Sequence, residues 1–221
     1  TIVGEVRVIS SHGITLENLT ITGPGNGLLI AGGRASLIES SISGNDGNGI
    51  SVFQNGGVTM LNCIVEGNGR HGIMLNDSTS RIRFTEVAHN GVNGVFALNG
   101  AVLRLVGGGV NFHENGSGIL VTNNSSINLV NSHIGMNSPH GIELDLGSTG
   151  MIANSFMNAN VDVGILVGSN SAAEVSGGGI EWNGSYGAWV RAHSTLTLTD
   201  AGVNNNIHHG VVVSTDGALF A

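Results

Sequence analysis

Three features of the 221-residue sequence predict an all-β protein folded as a single right-handed parallel β-helix. A glycine recurs at a fixed spacing, an asparagine keeps step with it, and short runs of alternating apolar residues lie between them. The glycine, followed in all but the first case by a small or aliphatic residue, stands at Gly4, Gly27, Gly49, Gly72, Gly94, Gly118, Gly141, Gly164, Gly187 and Gly210, at intervals of 22 to 24 residues. The asparagine stands at Asn45, Asn68, Asn90, Asn115, Asn137, Asn160, Asn183 and Asn206, at intervals of 22 to 25. Two unrelated residue types sharing one period define about nine coils of roughly 23 residues.

Within a coil the elements follow in a set order. Gly49-Ile50-Ser51-Val52 alternates, Val58-Thr59-Met60 alternates, and the bulky apolar Val65 lies three residues before its asparagine. Ile42, Val87, Phe112, Ile134, Met157, Ile180 and Val203 repeat that last position. Period-two runs separated by Gly, Asn and Ser indicate three short strands per coil. No segment carries a helical stripe, which excludes ankyrin-like and TPR-like repeats. Such short strands cannot bury a face alone, so each coil stacks on the next in parallel, about 4.8 Å away. Sequence columns thereby become physical stacks.

Each column then has an expected role. The asparagines form an internal ladder, each amide bonding to the neighbouring coil. The glycines are expected at tight bends whose φ values exclude a side chain. Five residues before the asparagine lies a column of small residues, Ser40, Cys63, Thr85, Ser132, Ser155 and Ala201. Cys63 is the only cysteine, so no intrachain disulfide forms, and its column makes it a buried, inert thiol.

Composition bounds the partners. Seven arginines and no lysine face 15 carboxylates, for a net charge of −8. That balance argues against nucleic acid, whose affinity comes from neutralised phosphates, and against a cationic patch for anionic lipid. No apolar run approaches the roughly 20 residues of a membrane helix. Residues 1–221 read as one β-helix domain, a segment of a longer protein.

The phrase Asn48-Gly49-Ile50-Ser51-Val52, followed by Leu61-Asn62-Cys63-Ile64-Val65-Glu66-Gly67-Asn68, resembles the β-helix repeats of the pectin-lyase-like superfamily. The resemblance spans nearly the whole chain and implies the fold. It leaves function open, because that superfamily contains polysaccharide lyases, hydrolases, epimerases, tailspikes and adhesins. The polygalacturonase-like motifs are missing: there is no Lys and no adjacent Asp pair, and His71-Gly72, His140-Gly141 and His209-Gly210 echo one piece only. No acidic cluster suits calcium, the histidines share no column of carboxylates, and no metal or other cofactor is expected.

Two surface features remain. Leu29, Met74, Phe96, Leu98, Leu120 and Leu166 are expected on the outer face of the strand after each glycine, an apolar stripe that another protein segment would cover. Glu143 and Asp145 interrupt it, two apart on one strand and so on one face, about 6.6 Å between Cα atoms. Carboxylates about 5–9.5 Å apart suit glycoside hydrolysis, although nothing in the sequence indicates burial that would raise either pKa. Trp189 and Arg191 lie two coils on and His140 just across the bend, placed to stack on a sugar and hold a carboxylate. The favoured function is a non-catalytic scaffold or binding module, glycan- or surface-associated, outside the cell or at its surface and part of a larger protein. The alternative is a polysaccharide hydrolase or lyase using Glu143 and Asp145.

Overall fold

The computed structural model describes residues 1–106 and 108–221, which form 28 strands and, among the described residues, no helix. Most coils contribute three strands, and every strand pairs in parallel with its counterpart one coil away. Ten of them, from Val6–Ile9 through Ile73–Asn76 to His209–Val213, form one sheet. The other two sides make a single 18-stranded sheet, because Thr149–Asn158 and Ala172–Glu181 run unbroken around the corner between them.

The register holds from coil to coil. Ile50, Ile73, Val95, Ile119, Ile142, Ile165 and Ala188 lie opposite one another in succession, and all are fully buried. Across the lumen, Ile42, Val65, Val87, Phe112, Ile134, Met157 and Ile180 form the facing column, also fully buried. Alternation along short strands thus sends one residue in two into a continuous apolar core.

The asparagine ladder runs unbroken from Asn45 to Asn206. Each Nδ2 donates to the Oδ1 of the next asparagine at 2.8 to 3.2 Å. The same Oδ1 accepts the preceding backbone N–H, as when Asn90 N donates to Asn115 Oδ1 at 3.1 Å. Nδ2 also donates to a core-column carbonyl of the coil before, for example Asn137 to Phe112 O at 3.1 Å. The register sets Gly23 opposite Asn45, and Asn45 Oδ1 is accordingly a buried acceptor without a partner.

The small-residue column behaves similarly: Ser40 Oγ, Thr85 Oγ1 and Ser155 Oγ accept backbone N–H groups from Leu19, Cys63 and Ser132. Cys63 is buried, and that burial pushes its thiol pKa up, as an inert thiol requires. A further hydroxyl ladder escaped the sequence reading. Ser125, Ser148, Ser171 and Ser194 each accept the N–H of the residue one coil earlier, at 3.1 to 3.3 Å.

Two expectations about the glycines need correction. Pairing sets Val6 against Leu28, so Glu5 rather than Gly4 occupies the first position of the glycine column. The column glycines also do not need positive φ. A Cβ on Gly72 would lie 2.7 Å from Gly94 O, 2.8 Å from Asn90 Nδ2 and 2.9 Å from Val87 Cγ1. Close approach of successive coils at the ladder, rather than a left-handed backbone, excludes the side chain.

Asn137→Ala is expected to lower the unfolding free energy by about 3 kcal/mol, because it strands buried donors and acceptors on both adjoining coils. Gly72→Ala should destabilise as well, by overpacking against backbone that cannot move aside. Denaturant unfolding of the purified chain measures both.

Candidate functional site

The outer face of the ten-stranded sheet carries the predicted residues. Successive coils stack Leu29, Ser51, Met74, Phe96, Leu120, Glu143, Leu166, Trp189 and Val212 in one column. These apolar side chains shelter one another. Leu29, Met74, Phe96, Leu98 and Leu120 are half-buried and Leu166 is buried. The expected exposed stripe is therefore largely closed by its own stacking, which removes the main reason for expecting a covering chain. Ile9 is exposed at the first coil of this face, and the large exposed side chains Phe84, Met151, Phe156 and Trp182 lie elsewhere.

Glu143 stands between Leu120 and Leu166 in that column. Burial there pushes its carboxyl pKa up, the negative charge of Asp145 adds to the rise, and Arg191 opposes it. This overturns the expectation that neither carboxylate would be perturbed. Asp145 and Arg191 flank Gly168 from the coils on either side. A Cβ on Gly168 would lie 3.3 Å from Asp145 Oδ1 and 3.4 Å from Arg191 Nε. The bare glycine leaves a gap between acid and base, which do not reach ion-pair contact among the described residues.

His140 is half-buried at the bend, and its Nδ1 lies 3.8 Å from Asp162 Oδ2. Burial holds its pKa below the ordinary histidine value, against the pull of Asp162 and with help from Arg191. Trp189 is placed differently from expectation. The Arg191 guanidinium covers its ring at 4.9 Å, and its Nε1 donates to Ser214 Oγ at 3.1 Å. Its ring is thus already engaged in a cation–π contact. The structure brings Glu143, Asp145, Trp189 and Arg191 onto one face.

A rim of polar residues precedes the glycine column. Asn26 Oδ1 accepts from Asn48 N, and Asn48 Oδ1 accepts from His71 N. His71 is buried with its ring 4.9 Å from that of Phe96, and Nδ1 has no hydrogen-bond partner. Burial, with the charge of Arg70, pulls its pKa down to about 4.

The sequence reading missed a second surface, on the strands that follow the ten-stranded sheet along each coil. Arg34, Arg81 and Arg104 line a groove of about 320 Å³ whose walls include Ser36, Thr59 and Thr79. Arg81 lies directly opposite Arg104 on the next coil. Arg83 shares the outward side of the Arg81 strand and donates from Nε to Val106 O at 3.0 Å. Gly57 clears room for Arg34, whose guanidinium nitrogen would lie 2.7 Å from a Cβ at that position. Among the described residues, none of these four arginines has a carboxylate in ion-pair contact; the paired arginine is Arg7, with Glu5. Four of the chain's seven cations thus gather on one face, against the expectation of no cationic patch. The 23-residue separation of Arg81 and Arg104 is the signal that would have revealed them.

The sequence pattern of the right handed beta helix region matches residues 4–115 and 86–220, and the chain belongs to that family. No curated relative matches it by sequence. Among solved structures it is similar to the A-module of the Azotobacter vinelandii mannuronan C-5 epimerase AlgE4, with TM-score 0.69 and 14% identity. That match covers 90% of this chain and 64% of the module, so the chain spans somewhat less than two thirds of that relative. A variant of the periplasmic alginate epimerase AlgG matches with TM-score 0.64 and 12% identity, over 97% of this chain and 73% of its own. The pectate lyase Pel9A matches with TM-score 0.55 and 14% identity, over 97% and 68%. These likenesses show a shared fold.

The depressed His71 pKa makes stability depend on pH. Its folded value lies below the ordinary value of 6.5, so the stability is present above pH 6.5 and is lost as pH falls towards about 4. The loss amounts to about 3 kcal/mol. His71→Asn, the residue found at this position in both neighbouring coils, should flatten the melting temperature between pH 6.5 and 4.

Proposed function

We propose that this right-handed β-helix is a non-catalytic binding module for acidic polysaccharide, which lies along the arginine-lined groove. The unpaired guanidiniums of Arg34, Arg81 and Arg104 carry the reading. Like charges opposite each other on neighbouring strands repel, so the Arg81–Arg104 pair favours an anion between them. Planar guanidinium forks suit carboxylates, and the hydroxyls of Ser36, Thr59 and Thr79 offer bonds to sugar oxygens. Coils about 4.8 Å apart present such groups as a straight track, which fits an extended polymer. With a net charge of −8, the rest of the surface repels polyanions and limits binding to this face. The similar structures are named for mannuronan, alginate and pectate, all acidic polymers, which supports the substrate class. Such a module belongs outside the cell or at its surface, as part of a larger protein.

Binding to a uronate polymer at low salt should weaken at least tenfold in the double variant Arg81→Ala, Arg104→Ala, with a shallower salt dependence. A neutral glycan should not bind. Equal affinity of variant and parent, measured by calorimetry, would remove the reading.

A second reading rests on the raised pKa of Glu143. A buried carboxyl whose pKa is raised, with the Asp145 carboxyl beside it, is the pairing that acid-catalysed glycoside cleavage uses, with Arg191 and His140 at its edge. If the chain shortens any polysaccharide, Glu143→Gln should lower the rate at least a hundredfold. An unchanged rate would exclude this face as the source.

A further inference from the structure

We propose that His89, His113 and Glu114 form a binding site for a divalent transition-metal ion of the zinc class, on the side of the rod that follows the small-residue column. His89 directly follows the strand Glu86–Ala88, and His113 ends Asn111–His113 one coil later. Ala88 lies opposite His113, which sets His89 opposite Glu114. One ligand atom from each of the three falls within 4.8 Å of the other two. His89 Nδ1 is 3.0 Å from Glu114 Oε2, and His113 Nδ1 is 3.7 Å from Glu114 Oε1. Ligands held about 2.0–2.1 Å from a tetrahedral ion are spaced about 3.3 Å from one another, so small side-chain shifts close the site.

The state of His113 separates this group from an ordinary ion pair. Its Nε2 meets Glu86 Oε1 at 2.9 Å, and Nδ1 is buried without a hydrogen-bond partner. In the neutral imidazole, a carboxylate on Nε2 holds the proton there and leaves the Nδ1 lone pair bare, facing His89 and Glu114. A ligating histidine oriented by a carboxylate on its other nitrogen is the usual support for a metal. A buried, unpaired nitrogen costs free energy, and an ion at this point removes that cost. Imidazole and carboxylate together favour zinc, copper or nickel over calcium or magnesium. His89 and Glu114 are half-exposed, so a solvent molecule can complete the coordination. The histidines were expected to share no column of carboxylates; Glu114, opposite His89, and Glu86, diagonal to His113, correct that expectation.

Zinc titration by calorimetry and the visible spectrum of the cobalt-substituted chain test the site. One ion per chain with micromolar or tighter affinity is expected, with intense tetrahedral cobalt bands. His89→Ala and Glu114→Gln, both at half-exposed positions, should each weaken binding at least tenfold while the apo melting temperature stays near that of the parent. Glu86→Gln, which removes only the orienting carboxylate, should weaken it about 10–100-fold. His208→Ala with His209→Ala should leave it unchanged. Absence of binding, or binding lost with the His208 and His209 variant and kept in the other three, would overturn the proposal.

Discussion

Successive coils keep one register because every buried asparagine needs its neighbours. Each ladder amide donates to the next Oδ1 and to a carbonyl of the coil before, so a slip of one residue would strand several buried polar groups together. The alternation of apolar residues opposes such a slip too, but packing in a column of Val, Ile and Phe tolerates exchange, whereas each amide needs one particular partner. Where the ladder ends, its dependence shows: Asn45 Oδ1, opposite Gly23, is left unpaired. The Ser125 to Ser194 ladder applies the same rule at a second corner, and Ser78 Oγ, one coil below Ala101, is likewise unpartnered.

A fixed register also governs how function can be written on the rod. Outward side chains repeat about every 4.8 Å along the axis, so a site is a short stretch of two or three adjacent columns. Glu143 owes its raised pKa to leucines directly below and above it, a consequence of column neighbours. Arg81 and Arg104 are adjacent because their spacing equals one coil. One face of a uniform scaffold can therefore be apolar and acidic at different heights, while a second face is cationic. Both faces share one apolar lumen, so a substitution on one need not disturb the other.

Much of this was legible in the chain itself. The coil length, the asparagine ladder, the buried small-residue column and the placement of Glu143, Asp145, Trp189 and Arg191 on one face all follow from counting. The small residues around Cys63 showed that the thiol would be buried. Contacts that run diagonally were not legible. His113 reaches Glu86 one coil below, two residues before its register partner Ala88. Counting within one column cannot find such pairs.

The sequence by itself determined the period, the strand order within each coil and which residues face the lumen, because a 23-residue repeat and period-two alternation act along the backbone. Only the tertiary structure decided how exposed the outward residues are and which charges meet. Exposure depends on side chains from the coils above and below, as the half-buried Phe96 and buried Leu166 show. It also decided that column glycines serve close approach at ordinary φ, since the atom each Cβ would strike belongs to the next coil.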